Sequence, residues 1–226
     1  MKTLPFIFTL LTVFLFSSAF AQMQYSKNAI NVAVLIFDGV EILDFCGPSE
    51  VFADANNDEG MLCHVFTVGI SGDEITAQGF MKVKPNYSLE NCPKPDLIVI
   101  PGGNSTALSK NENVINWLKS YDKTTTTFMS VCTGALVLSK TGMLDGKTAT
   151  THYCCQDALA SNKNIKVVKD TRFVDNGMII TTEGISAGID GSLYVLEKRY
   201  GHGVAKNVAD YMMYDWRPNE FKKVVN

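Results

Sequence analysis

Short apolar runs rich in β-branched residues alternate along this chain with stretches of helical spacing. Two runs are continuously apolar, which is typical of strands covered on both faces: Asn31 to Phe37 after its first residue, and the whole of Leu97 to Ile100. Between later strands, Val114 and Leu118 mark one face of a helix. Because strands that alternate with helices form parallel sheets, the pattern predicts an α/β fold with a central, mainly parallel sheet.

The same signals place the remaining elements. Further strands are predicted at 64–70, 80–87, 127–131, 148–153, 166–170 and 173–182, the second of them at a sheet edge or in a small hairpin, and the last with a turn at 175–177. Further helices are predicted at 42–52, 133–142, 185–200 and 204–214. Gly47-Pro48 predicts a kink or a break in the first of these helices.

The chain has 226 residues, and its first 21 have the pattern of a secretory signal peptide. A basic start precedes an apolar core at Leu4–Phe16 and a small-residue site at Ala19–Ala21. A transmembrane anchor is the alternative, but the core is short for a membrane span. We therefore expect cleavage before Gln22, export to the periplasm or beyond, and no membrane contact afterwards. The rest divides into a linker at 22–30, one domain at 31–218 and a C-terminal tail at 219–226.

The formal net charge of −3 gives the chain no electrostatic reason to bind nucleic acid. The six cysteines match no disulfide framework, and the sequence leaves open whether one or two bridges form. His152, Cys154 and Cys155 form a small cluster of metal-ligand types, but no second cluster at zinc-site spacing follows. We predict neither a metal nor another cofactor, and a small molecule as the partner.

Cys132 stands where a predicted strand ends and a predicted helix begins, with Gly134 just after it. At such a turn a side chain is presented at the end of a parallel sheet. The N–H groups and partial positive charge of a helix N-terminus favour the thiolate, which is the nucleophilic form. The alternative is a buried cysteine that acts as a small apolar side chain.

Two other strand ends carry residues suited to an active site. The first predicted strand leads to Asp44, which is either an acid–base group or a helix cap. The strand at 97–100 leads to Gly102 and Gly103, which either form an ordinary turn or offer free backbone N–H groups to a ligand. Because the crevice of an open α/β sheet lies at the carboxyl ends of its strands, we expect Asp44, Gly102, Gly103 and Cys132 to meet there.

These residues lie in motifs that resemble the ThiJ/PfpI superfamily of class I glutamine-amidotransferase-like proteins. The motifs are Phe37-Asp38-Gly39-Val40-Glu41-Ile42-Leu43-Asp44-Phe45-Cys46-Gly47-Pro48, Ile100-Pro101-Gly102-Gly103, Ser130-Val131-Cys132-Thr133-Gly134-Ala135, Gly146-Lys147-Thr148-Ala149-Thr150-Thr151-His152 and Gly184-Ile185-Ser186-Ala187-Gly188-Ile189-Asp190. Within the superfamily they resemble the branch that contains isonitrile hydratases and the ligand-sensing halves of AraC-type regulators.

The resemblance implies a flavodoxin-like three-layer sandwich, assembled as a homodimer, with Cys132 on a nucleophile elbow. It further implies that Asp44 is the acidic partner of the cysteine and that the N–H groups of Gly103 and Thr133 form the oxyanion site. Peptidase-like members have histidine directly after the nucleophile, where this chain has Thr133. The resemblance therefore favours the isonitrile hydratase branch, in which the threonine hydroxyl is expected to orient substrate or water.

For two further site candidates, His152 and Glu183, the sequence allows both a functional and a structural interpretation. His152 either tunes Cys132 or forms a hydrogen bond in the core, and Glu183 either borders the substrate site or stabilises a helix N-terminus.

The function that the resemblance implies first is hydration of an isocyanide to an N-substituted formamide through a thioimidate on Cys132. The alternatives are a glyoxalase-like or amidase-like enzyme acting on small carbonyl compounds, and a non-catalytic ligand-binding or redox-sensing protein whose Cys132 becomes oxidised.

Overall fold

The computed structural model describes residues 24–226. The predicted signal peptide lies outside this part of the chain, and so does the start of the predicted linker. No helix within residues 24–226 combines the length and the apolar character needed to cross a membrane.

Thirteen strands are present in the described residues. Their bounds are β1 Tyr25–Ile36, β2 Asn56–Asn57, β3 Gly60–Gly69, β4 Ile75–Ala77, β5 Met81–Val83, β6 Tyr87–Ser88, β7 Leu97–Ile100, β8 Thr127–Ser130, β9 Thr148–Ala149, β10 Lys166–Val167, β11 Phe173–Asp175, β12 Ile179–Thr182 and β13 Lys223–Val225.

The same part of the chain contains seven α-helices and one short 3-10 helix at Tyr153–Cys155. The α-helices are α1 Ile42–Ala53, α2 Ser105–Leu108, α3 Glu112–Lys119, α4 Gly134–Lys140, α5 Gln156–Ala160, α6 Ala187–Tyr200 and α7 His202–Tyr211.

The main sheet has the strand order β13-β11-β12-β8-β7-β1-β3-β2, and β6 pairs with β3. All pairings in it are parallel except β11 with β12 and β2 with β3. Helices α1, α6 and α7 pack together, while α2 to α5 form a second group of mutual contacts. The fold therefore has the mainly parallel sheet that the sequence pattern predicts, and it is the flavodoxin-like three-layer α/β sandwich that the resemblance implies.

The core explains why the central strands read as continuous apolar runs. All four residues of β7 are almost fully buried, as are residues 32–36 of β1. Both strands lie inside the sheet and are covered by helices on both faces, so no position faces water. This burial fixes the strand ends that carry the candidate site.

The domain boundaries differ from the sequence prediction at both ends. Residues 25–30, predicted as linker, already belong to β1, which pairs with β3 through Tyr25 and Ile30. The predicted tail at 219–226 contains β13, whose Lys223–Val225 pair in parallel with β11. The local sequence of such a short segment does not show which strand it pairs with. In the structure, pairing with β3 and β11 makes both segments part of the fold.

Several predicted elements are shorter or more regular in the structure. The strands predicted at 148–153 and 166–170 shrink to the two-residue strands β9 and β10, which pair with each other outside the main sheet. The helix at 42–53 continues through Pro48 without a break, contrary to the predicted interruption. The predicted hairpin around residues 175–177 is confirmed, since β11 and β12 are antiparallel neighbours.

Candidate active site

Four neighbouring strands, β1, β7, β8 and β12, end at the same edge of the sheet and carry the candidate site. β8 leads into Cys132, β7 into Gly102 and Gly103, and β1 into the helix that holds Asp44. The fourth strand, β12, leads into Gly184. The structure therefore brings together the residues predicted at three strand ends and adds a fourth segment.

Cys132 forms a sharp turn between β8 and α4. Its φ angle is +55°, a left-handed conformation that is uncommon for a residue with a side chain. Gly134 makes the turn possible, since a Cβ atom there would lie 2.0 Å from the carbonyl oxygen of Ile100. Thr151 Oγ1 donates a hydrogen bond of 2.8 Å to the Cys132 carbonyl. The backbone is thus held in the geometry of a nucleophile elbow, with 6% of Cys132 exposed.

Asp44 is fully buried in the third position of α1 and does not cap its own helix. One carboxylate oxygen accepts a 2.8 Å hydrogen bond from the Gly102 N–H, and the other accepts a 3.1 Å bond from the Ile185 N–H. The Cys132 thiol lies close enough to this carboxylate for each group to influence the pKa of the other. The helix-cap interpretation is therefore wrong, and Asp44 faces the cysteine.

The electrostatics of the pair differ from the sequence expectation of a resting thiolate. Burial, and then the negative charge of Asp44, raise the pKa of the Cys132 thiol to about 12. The Thr133 N–H and hydroxyl oppose this increase and do not offset it. Burial likewise raises the pKa of Asp44 to about 6. Between these values the pair carries one proton, which rests on sulfur beside an ionised carboxylate.

The glycine pair after β7 allows the backbone to pack closely against Thr133 and Asp44. A Cβ atom on Gly102 would lie 2.6 Å from Thr133 Oγ1 and 2.8 Å from Asp44 Oδ2, so only glycine fits there. The Gly103 N–H donates a 3.2 Å hydrogen bond to Thr133 Oγ1 instead of standing free. A substrate oxygen or nitrogen would have to displace that hydroxyl to use the Gly103 donor. The Thr133 N–H lowers the pKa of the Cys132 thiol, although burial outweighs its effect.

Gly184 and Ile185 belong to the site, although the sequence alone does not single them out as site residues. Gly184 lies against the cysteine, because a Cβ atom there would be 2.7 Å from both Cα and Cβ of Cys132. Ile185 is left-handed, with φ of +50°, and this conformation turns its N–H toward Asp44. The available signal is the motif that begins at Gly184, which carries part of the resemblance to ThiJ/PfpI proteins.

The two secondary candidates lie near the site without a hydrogen bond to Cys132. His152 is half-buried, and its Nδ1 lies 3.0 Å from Cys154 Sγ. Glu183 is also half-buried and donates its backbone N–H to the Arg172 carbonyl. Neither side chain contributes to the proton balance of the Asp44–Cys132 pair.

A buried carboxylate braces the segment that contains Gly184 and Ile185. Asp190 is 3% exposed and accepts a 2.6 Å hydrogen bond from Arg172 Nε and a 3.1 Å bond from the Tyr214 hydroxyl. Arg172 also donates to Ser186 Oγ at 3.0 Å. The ion pair thus connects the start of α6 to β11 and to the segment after α7.

Replacing Asp190 with alanine should lower the free energy of unfolding by about 2–4 kcal/mol, because it leaves the Arg172 charge without its partner. The matched control is Asp210→Ala, which removes the exposed Lys206–Asp210 pair within α7. That change should cost less than about 0.5 kcal/mol. Urea unfolding followed by circular dichroism measures both, and equal losses would contradict the bracing role of Asp190.

The fold and the site define a class: an α/β protein with a flavodoxin-like sheet and a buried cysteine on a nucleophile elbow beside an acidic residue. Residues 30–198 match the DJ-1/PfpI family. The chain belongs to this family, which confirms the resemblance to ThiJ/PfpI proteins that the motifs indicate.

Two curated relatives are of different kinds, one an enzyme and the other a transcriptional regulator. The isonitrile hydratase of Pseudomonas putida is 34% identical over 181 residues, covering 80% of this chain and 76% of the relative. The HTH-type transcriptional regulator CdhR of Pseudomonas aeruginosa is 27% identical, over 78% of this chain and 52% of its own length. The chain thus spans most of the hydratase but only about half of the regulator.

Solved structures agree on the fold. A ThiJ/PfpI family protein from Pseudomonas syringae has a TM-score of 0.75 and 26% identity, over 84% of this chain and 77% of that protein. Drosophila melanogaster DJ-1beta has a TM-score of 0.74 and 23% identity, over 83% of this chain and 100% of its own.

Proposed function

We propose that the protein hydrates an isocyanide to an N-substituted formamide, with Cys132 as nucleophile and Asp44 as the group that moves the proton. The observation that carries the proposal is the buried Asp44 carboxylate, which the Gly102 and Ile185 N–H groups hold beside Cys132 on its left-handed elbow. Similarity to the isonitrile hydratase of Pseudomonas putida over most of both chains supports the choice of reaction.

The first half of the reaction adds the thiol across the terminal carbon of the isocyanide. Asp44 takes the proton from Cys132 while the sulfur attacks that carbon, so a C–S bond forms. The same proton passes from Asp44 to the carbon, giving a thioimidate with the carbon bonded to hydrogen, sulfur and nitrogen. No charge is left behind, because one thiol and one isocyanide have combined.

The second half adds water to the thioimidate. Asp44, again a carboxylate, accepts a proton from the water whose oxygen attacks the same carbon. The nitrogen receives one proton, the C–S bond breaks, and the sulfur regains the other. The N–H groups of Thr133 and Gly103 would stabilise the charge that develops, the latter after the Thr133 hydroxyl has moved aside.

The direct test is turnover of a panel of isocyanides, dicarbonyl compounds and simple amides by the purified protein. Formamide production from an alkyl isocyanide, measured by chromatography against the rate in buffer alone, supports the proposal. Consumption of dicarbonyls or amides without isocyanide turnover would instead favour the second enzymatic class. Oxidative sensing at Cys132 is the third alternative, and the raised pKa of the thiol counts against it, because that chemistry favours thiols of low pKa.

The specificity constant kcat/KM should rise with pH through the Asp44 pKa of about 6 and then remain level into the alkaline range. Below this value Asp44 is protonated and cannot accept the thiol proton, so kcat/KM should fall about tenfold per pH unit. Because isocyanides also hydrate spontaneously in acid, the buffer rate is subtracted at each pH.

The matched variant for this profile is Asp44→Asn, which should lose both most of the activity and the dependence on pH near 6. A wild-type profile that is flat or falling through that region would show that Asp44 is not the base.

Export and assembly as a homodimer remain predictions, which fractionation of the source cell and sedimentation of the pure protein would test.

A further inference from the structure

Two neighbouring thiols lie on the 3-10 helix that follows β9, outside the chemistry proposed above. Cys154 is exposed, Cys155 is half-buried, and their sulfur atoms are 3.3 Å apart. His152 Nδ1 lies 3.0 Å from Cys154 Sγ. All six cysteines of the chain are free thiols.

We propose that Cys154 and Cys155 form a redox-active dithiol that reduces small-molecule disulfides and closes to a disulfide between these adjacent residues. The placement of the groups assigns a role to each. Cys154 is the more exposed sulfur and has an imidazole nitrogen beside it to accept its proton, so it attacks first. Cys155 lies behind it within reach of the same sulfur atom and completes the exchange.

The exchange balances with a small disulfide, such as oxidised glutathione, as the oxidant. The Cys154 thiolate attacks one sulfur of that disulfide, forms a mixed disulfide and releases one thiolate, which takes up the proton held by His152. Cys155 then gives up its proton, attacks the Cys154 sulfur and releases the second small thiol. Two electrons and two protons pass to the small disulfide, and one Cys154–Cys155 bond forms.

The order of attack agrees with the environment of the second thiol. Burial, followed by the hydrogen bond and charge of Cys154, raises the pKa of Cys155 to about 11. Cys155 therefore stays largely protonated at neutral pH, which fits its place as the second thiol to react. A metal is not the better occupant, because no three His, Cys, Asp or Glu side chains in residues 24–226 are placed to hold one.

Ring closure between adjacent residues is strained, and this strain makes the proposed site reversible. Neighbouring Cα atoms are about 3.8 Å apart, whereas disulfides usually join Cα atoms at least about 4.4 Å apart. A strained disulfide has a more oxidising potential and is opened readily by thiols. The bond would therefore respond to the surrounding thiol–disulfide ratio and not act as a permanent cross-link.

Trypsin offers a direct readout, since residues 148–163 form one tryptic peptide that contains Cys154 and Cys155 and no other cysteine. Reduced protein is incubated with oxidised glutathione, quenched in acid, alkylated with N-ethylmaleimide and digested. We expect this peptide to lose two hydrogen atoms in mass and to take up no alkylating reagent. Excess reduced glutathione, added before the quench, should restore two alkylation sites.

The single variants distinguish the two roles. Cys155→Ser should accumulate one stable glutathione adduct on Cys154, and Cys154→Ser should react at least about tenfold more slowly, because thiolate attack falls with the ionised fraction. Peptides that carry the half-buried Cys46 and Cys92 serve as internal references. A fully alkylated pair after oxidation, or a wild-type adduct that does not resolve, would overturn the proposal.

Discussion

Cys132→Ala should reduce isocyanide turnover by at least about 10⁴-fold, because it removes the atom to which the thioimidate bonds. The fold should survive, since alanine keeps the Cβ atom at a residue whose φ is already +55°. Formamide production under saturating isocyanide measures the loss, and circular dichroism establishes that the variant is folded.

The matched control for this variant is Cys63→Ala. Cys63 is as buried as Cys132, at 3% exposed against 6%, and burial raises its pKa to about 12 in the same way. It lies on β3, away from Asp44, and its removal should leave turnover unchanged. If Cys132→Ala retained turnover within tenfold of the wild type, covalent catalysis through Cys132 would be wrong.

The central sheet could be predicted from the sequence because burial on both faces leaves a local signature. Residues 31–37 and 97–100 are apolar without alternation, and the structure places them in the middle of the sheet. The edge strands of the sheet are harder to predict from the sequence. β13 at 223–225 is half-exposed and is defined only by its pairing with β11, a contact about 50 residues away in the chain. Such pairing depends on tertiary structure, which no local pattern records.

The candidate site could be predicted in its parts but not in its electrostatics. Cys132, Asp44 and Gly102 could be found because each follows an apolar strand, and parallel strands end at one edge. This argument does not place Gly184 and Ile185 in the site, because the sequence does not show that β12 is the neighbour of β8, and only the motif that begins at Gly184 indicates them. The helix N-terminus, which the sequence shows, favours a thiolate at Cys132. Burial and the charge of Asp44 outweigh it, and both are consequences of packing.

Gly184→Ala should be the most damaging substitution in the loop after β12. Its φ is +125°, and the added Cβ would lie 2.7 Å from the Cα and Cβ of Cys132, so backbone must move. We expect the free energy of unfolding to fall by about 3 kcal/mol or more. Turnover should fall further than stability predicts, because the shift displaces the elbow and draws the Ile185 N–H away from Asp44. Urea unfolding and formamide production on the folded fraction measure the two losses separately.

Substitutions at two other glycines distinguish the effect of a steric clash with Cys132 from the cost of a positive φ angle in a residue with a side chain. Gly177 has φ of +85°, and a Cβ atom added there would have no other atom within 4 Å, so Gly177→Ala should cost only about 1 kcal/mol. Gly203 lies in α7 with open space and no left-handed φ, and Gly203→Ala should stabilise the protein by about 0.5–1 kcal/mol. Since neither touches the elbow, both should keep full turnover. If the Gly184→Ala protein were as stable and as active as Gly177→Ala, the loop after β12 would be free to move away from Cys132. That result would contradict the role of this loop in holding Asp44.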